Sequence, residues 1–441
     1  MSERPLPENI QGPLRLYRAL GPVLATFLLP GILRRLLRRG GWRQDFGQRF
    51  GLFTPHQRHL LASKRWTWIH SISVGETLLA LKLVRALRAQ QPGLPIALSV
   101  TTSTGFACAL QCADPNLFVF YNPVDLAPVV RKVLDLLQPQ RLLFIEGELW
   151  PVLLTETWQR NIPIALVNAR LSPRSAARFL RWRRWCSPFF QLLNWISVPD
   201  SHEIPRWEQL GVSANRLHLT GSIKFDSGSN SPHNSRVLRE LLRSLGISDT
   251  DPLLIAGSTH DGEELLLCHL LKSARAQFPN LRLILVPRHV ERAPEILRLL
   301  HPLGFTVACR TDAPSGTKTP DVLLVNVTGE LRDWYELATL VFVGKSLTAE
   351  GGQNPVEPAL AGKPVLFGPH MENFETIVAL LLSEGGAKQV RDAAELEATC
   401  LSLLADPTQC QQLGLRAQQA LKIHEGAANR TADLILRGEA G

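Results

Sequence analysis

The sequence predicts an α/β protein made of two doubly wound domains, each a parallel sheet with helices on both faces. Three observations carry this. Short apolar runs alternate with amphipathic stretches from Trp66 onward. The alternation is broken once, by the polar stretch Asp226–Ser235. After that break it restarts. Such alternation means βαβ units, whose parallel strands are covered on both faces.

In the first domain, Trp66–Ser71 reads as a strand and Thr77–Ala89 as a helix. Ile96–Thr101, Leu117–Tyr121, Arg141–Ile145, Ile164–Asn168 and Trp195–Val198 read as further strands. In the second, Leu253–Ala256, Leu281–Val286, Val322–Leu324, Leu340–Val343 and Pro364–Phe367 continue the series. Asp226–Ser235 has no apolar residue and reads as a linker. Ala393–Leu436 reads as wholly helical. The expected division is a basic segment at 1–50, a domain at 51–226, a linker at 227–235 and a domain at 236–420. A closing helix at 421–441 is a candidate for packing back on the first domain. In open parallel sheets ligands bind at the carboxyl ends of the strands, so two facing domains would place a cleft between them.

The 441 residues are 45% hydrophobic and 20% charged, a globular balance. A chain of this length buries large cores without disulfide or metal staples. The seven cysteines form no CxxC pair; Cys108 and Cys112 are spaced to share a helix face, and all read as isolated thiols. No HExxH or zinc-ribbon spacing occurs, so no metal is expected.

The net charge is +9 and the excess is clustered. Arg34, Arg35, Arg38, Arg39, Arg43 and Arg49 are accompanied only by Asp45. Arg170, Arg174, Arg178, Arg181, Arg183 and Arg184 have no acid among them. Such patches suit phosphates or an anionic membrane; solvated helix faces are the plain alternative. Ahead of the first patch lies the apolar run Ala19–Leu33, interrupted by Pro22 and Pro30 and short for a span of about 20 residues. Arginines follow at once, as on a helix dipping into one leaflet from the cytoplasmic side. A short span or a buried helix hairpin are the other readings.

Several motifs follow strands. Ser73-Val74-Gly75-Glu76 places a carboxylate in the first turn of a helix. That is a dipole partner or a general base, and position alone favours the dipole. Glu146-Gly147-Glu148 leaves a very apolar strand, where carboxylates need cationic partners such as Arg170 or Lys224. Lys224, in Gly221–Asp226, reads on position alone as a surface lysine. Gly257-Ser258-Thr259-His260 reads as hydroxyls opening a helix toward an anion, and Pro287-Arg288-His289 offers an arginine fork. Glu350–Pro358 is the most specific run. Its glycines permit close backbone approach, a helix start near Pro355 faces a phosphate, and Glu357 suits ribose hydroxyls.

Taken together, SVGE, EGELW, GSIKFD, GSTHDGEE, PRHVER, GELRDWY and GGQNPVEP, in order and with NARLSPRSA at Asn168–Ala176, closely resemble the bacterial 3-deoxy-D-manno-octulosonic acid (Kdo) transferases of lipopolysaccharide core synthesis. The resemblance covers nearly the whole chain. It implies a GT-B glycosyltransferase fold of two Rossmann-like domains, the first for the acceptor and the second for the donor. It implies inverting transfer of Kdo from CMP-Kdo to a lipid A precursor at the cytoplasmic face of the inner membrane, without a metal or cofactor. By the same resemblance Glu76 is the base, and Glu146 and Lys224 stabilise the transition state. CMP would lie against Ser258, Thr259, Pro287, Arg288, Thr328, Gly329, Glu330, Gly352, Asn354, Pro355, Val356 and Glu357. The lipid phosphates would meet Arg34, Arg35, Arg38, Arg39, Arg170 and Arg174.

The chain departs from the family pattern at Gln353, where His is usual, at Gly147, where Thr is usual, and at Lys345, where Gly is usual. Lys345 would either add a phosphate contact or face water. Rival readings are a nucleotide-sugar epimerase of the same fold and a non-catalytic nucleotide- or lipid-binding protein. A nucleic-acid partner is not expected, since no nucleic-acid motif accompanies the charge.

Overall fold

The computed structural model describes residues 4–20, 45–147, 149–171, 173–226, 235–311 and 319–438. The chain divides into two compact units. One comprises residues 1–226 together with Gly426–Gly441, and the other Ser227–Glu425.

The first unit opens with α1 (residues 8–20) and α2 (Pro55–Ala62), followed by β1 (Thr67–Ser71) and α3 (Val74–Gln90). Then come β2 (Ile96–Val100), α4 (Ser103–Leu110), β3 (Leu117–Tyr121), α5 (Ala127–Leu137), β4 (Arg141–Ile145) and α6 (Pro151–Gln159). β5 (Ile164–Val167), α7 (Pro173–Arg181), α8 (Arg183–Phe190), β6 (Trp195–Val198), α9 (Ile204–Gln209) and β7 (Leu217–Leu219) complete it. The strands form one parallel sheet in the order β3-β2-β1-β4-β5-β6-β7. Strands β1, β2 and β4 are buried along their whole length, so both faces are apolar and each needs a covering layer. One face packs on α5, α6 and α8, the other on α3 and α4.

The second unit contains α10 (Ser235–Ser244), β8 (Leu253–Thr259), α11 (Glu263–Ala274), β9 (Arg282–Pro287), α12 (Ala293–Leu300), β10 (Val307–Cys309) and β11 (Val322–Leu324). It continues with α13 (Leu331–Leu337), β12 (Leu340–Val343), α14 (Val356–Leu360), β13 (Val365–Phe367), α15 (Glu375–Ser383), β14 (Ala387–Gln389), α16 (Ala393–Ala405) and α17 (Pro407–Lys422). Its parallel sheet runs β10-β11-β9-β8-β12-β13-β14. The last helix, α18 (Ala427–Arg437), belongs to the first unit. There Ala427, Ala432 and Ile435 join the core beneath α3.

Every predicted strand is present, but β7, β10 and β14 were not foreseen. All three are three-residue strands at sheet edges. An edge strand is paired on one side only and lacks a continuous apolar run. Ala393–Leu436 is not one helix. Asp406 breaks it, its carboxylate accepting from the Gln409 N–H, and the chain breaks again at Gly426 in a left-handed turn. α4 ends at Leu110, so Cys112 lies past the helix and shares no face with Cys108. Asp226 is not a linker residue. It is buried, and its carboxylate accepts from the Gly426 N–H at 3.3 Å and the Ala428 N–H at 2.8 Å, capping α18. Linker residues 227–234 lie outside the described residues, as do Arg34, Arg35, Arg38, Arg39 and most of Ala19–Leu33. Among the described residues, no helix is long and apolar enough to cross a membrane.

α1 is fixed to the first unit. Ile10 and Leu14 enter its core, and the Tyr17 hydroxyl bonds Asp125. Asp125 in turn accepts from the Val152 and Leu153 N–H groups that open α6. Arg18, Arg131 and Arg160 converge on Glu156, which is 1% exposed, at 3.0, 2.8 and 3.3 Å. Glu156→Gln would leave three guanidiniums around a neutral amide. We expect it to cost about 2 kcal/mol in urea unfolding, because the arginines themselves stay partly hydrated.

Candidate active site

In a doubly wound sheet, the loops after two neighbouring strands part where the strand order reverses, and a crevice opens there. In the first sheet this switch lies between β1 and β4. The helix after β1, α3, covers one face, and the helix after β4, α6, covers the other. Glu76 follows β1 and Glu146 follows β4. Strand order therefore brings the two carboxylate-bearing loops to one crevice.

Glu76 sits in the first turn of α3 and is half-buried. Its carboxylate accepts from the Ile72 N–H at 2.9 Å and from the Ser73 hydroxyl at 3.2 Å. Ser73 is the N-cap, receiving the Glu76 N–H. The dipole partner read from position is thus real.

Glu146 carries two marks of a working residue. Its φ of 66° lies in the left-handed region, where a side chain costs about 1–2 kcal/mol. Burial pushes its carboxyl above the usual carboxylate range, and Arg170 and then Lys224 pull it back. Sequence reasoning named those two cations as its partners, and the fold brings both to it. The Arg170 N–H also donates to the Glu146 carbonyl at 3.1 Å. A Cβ at Gly147 would meet only the Arg170 carbonyl oxygen, at 3.6 Å, so packing does not require glycine there. Glu148 lies outside the described residues.

The loops carrying these groups are interlocked. The Asn168 carboxamide accepts from the Ile223 N–H at 2.9 Å, tying the end of β5 to the turn that holds Lys224. Asn168 is itself left-handed, at φ 55°, a conformation Asn tolerates. The Lys82 ammonium, from α3, donates to the carbonyls of Ile223, Lys224 and Asp226 at 3.4, 3.3 and 3.0 Å. One helix therefore positions Glu76 and braces the Lys224 turn. Glu203, pushed up by burial, accepts from the Leu171 N–H at 2.8 Å and faces Arg170. Sequence reasoning missed Lys82, Asn168 and Glu203, because nothing in their local spacing announces a long-range contact. Lys224 itself is exposed, and so is Arg174, on α7.

An apolar groove of about 910 Å³ adjoins this loop cluster. Leu16 and Leu20 of α1, Gly147, Trp150, Trp182 and Phe189 are among its walls. Arg174, Arg178, Arg181, Arg183 and Arg184 stand exposed on α7 and α8, the helices that supply one side of it.

In the second sheet the order reverses between β8 and β12. Here one expectation is corrected. Ser258 and Thr259 do not open a helix; they are the last residues of β8, and α11 begins at Glu263. Thr259 is fully buried and its hydroxyl donates to Glu264 at 2.9 Å, so that side chain is not offered to an anion. Ser258 turns at φ 55°. Gly257 must be glycine, since a Cβ would fall 2.0 Å from the Tyr335 hydroxyl. Pro287 ends β9 and is buried, whereas Arg288 is exposed beside it. The Glu330 carboxylate is occupied by Arg310, at 3.1 Å to each oxygen, and by the Trp334 indole. The stretch around it therefore presents Thr328 and Gly329, both exposed.

α14 has five residues, so its dipole is small. Asn354 accepts from the Val356 N–H at 3.1 Å and donates to Glu357 at 3.3 Å. Gly352 and Pro355 are buried around this cap. A Cβ on Gly352 would meet the Met371 sulfur at 2.5 Å.

Known proteins similar to this chain identify its family. The family described as 3-Deoxy-D-manno-octulosonic-acid transferase (kdotransferase) matches residues 44–227. The 3-deoxy-D-manno-octulosonic acid transferase of Haemophilus influenzae is 32% identical over 397 residues, 89% of this chain and 91% of that protein. That of Bordetella pertussis is 32% identical over 435 residues, 95% and 96% of the two chains. The UDP-GlcNAc 2-epimerase of Neisseria meningitidis, solved with UDP-GlcNAc, is similar in fold at TM-score 0.52 and 12% identity. It covers 86% of this chain and 100% of that one. With its two doubly wound GT-B sheets and this identity along nearly its full length, the chain belongs to the family of Kdo transferases, which are glycosyltransferases.

Proposed function

We propose that this enzyme transfers Kdo from CMP-Kdo to a lipid A precursor with inversion, releasing CMP, with Glu76 as general base. The observation that carries this reading is the pairing of Glu76 and the strained, half-buried Glu146 at the switch point of the first sheet, next to an apolar groove edged by arginines. A soluble epimerase substrate would leave that groove unexplained.

In this mechanism Glu76 takes the proton from a glucosamine hydroxyl on the lipid. The oxygen attacks the anomeric carbon of Kdo as the bond to the CMP phosphate breaks and the pair of electrons leaves with CMP. Glu146 and Lys224 act on charge that develops in the transition state, which is where fixed groups lower a barrier most. The donor would be held in the second unit by Arg288, the exposed Thr328-Gly329 turn and the glycine-rich run ending in Asn354 and Glu357. The groove would take apolar chains of the acceptor, and the arginines of α7 and α8 its phosphates and the anionic surface of the inner membrane's cytoplasmic face.

The test is CMP release by purified protein with and without lipid A precursor, with the lipid weighed by mass spectrometry. Lipid-dependent release and a mass gain of one or more Kdo units support the reading. Folded protein that binds CMP and yields no lipid product sinks it. Trp182→Glu places a charge on the groove wall at a side chain already 53% exposed. We expect it to raise the KM for lipid about ten-fold, the equivalent of about 1.4 kcal/mol, without changing the KM for CMP-Kdo.

A further inference from the structure

We propose that Lys345 is a phosphate contact for the nucleotide donor, its ammonium held over the glycine pair Gly351-Gly352 at the switch point of the second sheet. The inference rests on the donor-site reading above and adds a residue and a role to it.

The backbone comes first. Gly344, at the end of β12, lies against β8, so that a Cβ there would be 2.5 Å from the Ser258 carbonyl oxygen. The next residue must turn away, and it does so at φ 56°. Glycine takes that conformation freely and lysine does not. The turn is then fixed. The buried Glu263 carboxylate accepts the N–H groups of Lys345, Ser346 and Leu347 at 2.8, 3.0 and 3.1 Å, and that of His260 at 2.9 Å. The Gly352 N–H closes the loop onto the Lys345 carbonyl at 3.0 Å. The backbone at this position is set by its neighbours, and only the side chain is left for another purpose.

That side chain is half-buried, and its Nζ lies 3.5 Å from where a Cβ on Gly351 would stand. The carboxylates nearby are engaged elsewhere. Glu263 holds its four N–H groups, Asp261 faces Arg292 at 3.4 Å, and Glu372 takes the Gly351 N–H and faces His370. Among the described residues, Lys345 forms no ion pair. Two histidines stand beside it. The His260 imidazole, held below its usual range by burial and by Lys345, meets the His289 ring at 5.9 Å. A strained residue presenting a half-buried ammonium that forms no ion pair among the described residues, at a strand-end crevice, is arranged for an anion. Lysine is a point-charge phosphate binder, and the donor carries its negative phosphate where such a crevice accepts it.

The experiment titrates CMP, which has the phosphate and lacks the sugar's carboxylate, into the wild type and into Lys345→Gly and Lys345→Met. Both variants should bind CMP about ten-fold more weakly, the scale of one partly hydrated charge-assisted hydrogen bond. Lys345→Gly should also melt about 2–4 °C higher, because it relieves the backbone, whereas Lys345→Met should not. A merely structural lysine would not weaken ligand binding while its removal stabilises the fold. If both variants bind CMP as the wild type does, the proposal is overturned and the donor-site reading stands. If the wild type itself binds no CMP, both fall.

Discussion

Glu76→Gln is expected to lower lipid-dependent transfer by about 10³-fold or more while leaving CMP binding within about two-fold, because a positioned base is worth roughly 10²–10⁴. The substitution is chosen for what it keeps. Glutamine keeps an oxygen to accept from the Ile72 N–H, and its amide N–H can donate to the Ser73 hydroxyl in place of the bond that hydroxyl gave, so the start of α3 survives. Glu76→Ala removes those bonds as well and should cost an additional ~1 kcal/mol of stability. Equal loss of activity in the two, with a lower melting temperature only in the alanine variant, separates chemistry from capping. If Glu76→Gln transfers Kdo at close to the wild-type rate, the carboxylate is a helix cap and the base lies elsewhere.

Glu146→Gln should behave in the opposite way on stability. Because burial raises the Glu146 carboxyl in the fold, the folded chain holds that proton more tightly than the unfolded chain does. The folded state therefore loses stability as pH rises from the ordinary carboxylate range through the raised value, and the full penalty is present above it. Glutamine carries no charge and escapes it. The variant should be the more stable protein near neutral pH, with the difference vanishing in acid, and should lose about 10²–10³ in kcat. Thermal scans on either side of the carboxylate range, with kinetics beside them, measure both. A variant less stable than wild type at neutral pH would show that Glu146 is a structural partner of Arg170. Lys224→Met removes one of the two cations that pull Glu146 down. The acid limb of the pH–rate profile should then move upward.

The residues that make these predictions were readable to different degrees. Glu146 stands out because it directly follows an apolar run, where a carboxylate needs a reason, whereas Glu76 by position alone reads as a dipole partner of its helix. Their motifs, set in order, named the family before any strand was paired. The proposed donor site was less legible. Thr259 reads as a free hydroxyl in GSTH, yet the strand runs three residues beyond the apolar run Leu253–Ala256 and turns that hydroxyl inward to Glu264. Glu330 reads as a ligand group in a polar turn, but Arg310, distant in sequence, occupies it. Lys345 reads as one more cation until its φ and its neighbours are known.

What the sequence alone determined was the alternation of strand and helix, the break between two domains, and which polar groups leave the carboxyl ends of the strands. These are local properties: apolar periodicity, turn chemistry and the spacing of motifs follow the chain. What only the tertiary structure decided was adjacency. β1 lies beside β4, and β8 beside β12, because each sheet winds in both directions from its centre. Strands that are apolar on both faces carry no mark of which neighbour they will have. The crevices that gather Glu76 with Glu146, and His260 with Lys345, exist only once the layers of helices have packed and fixed that order.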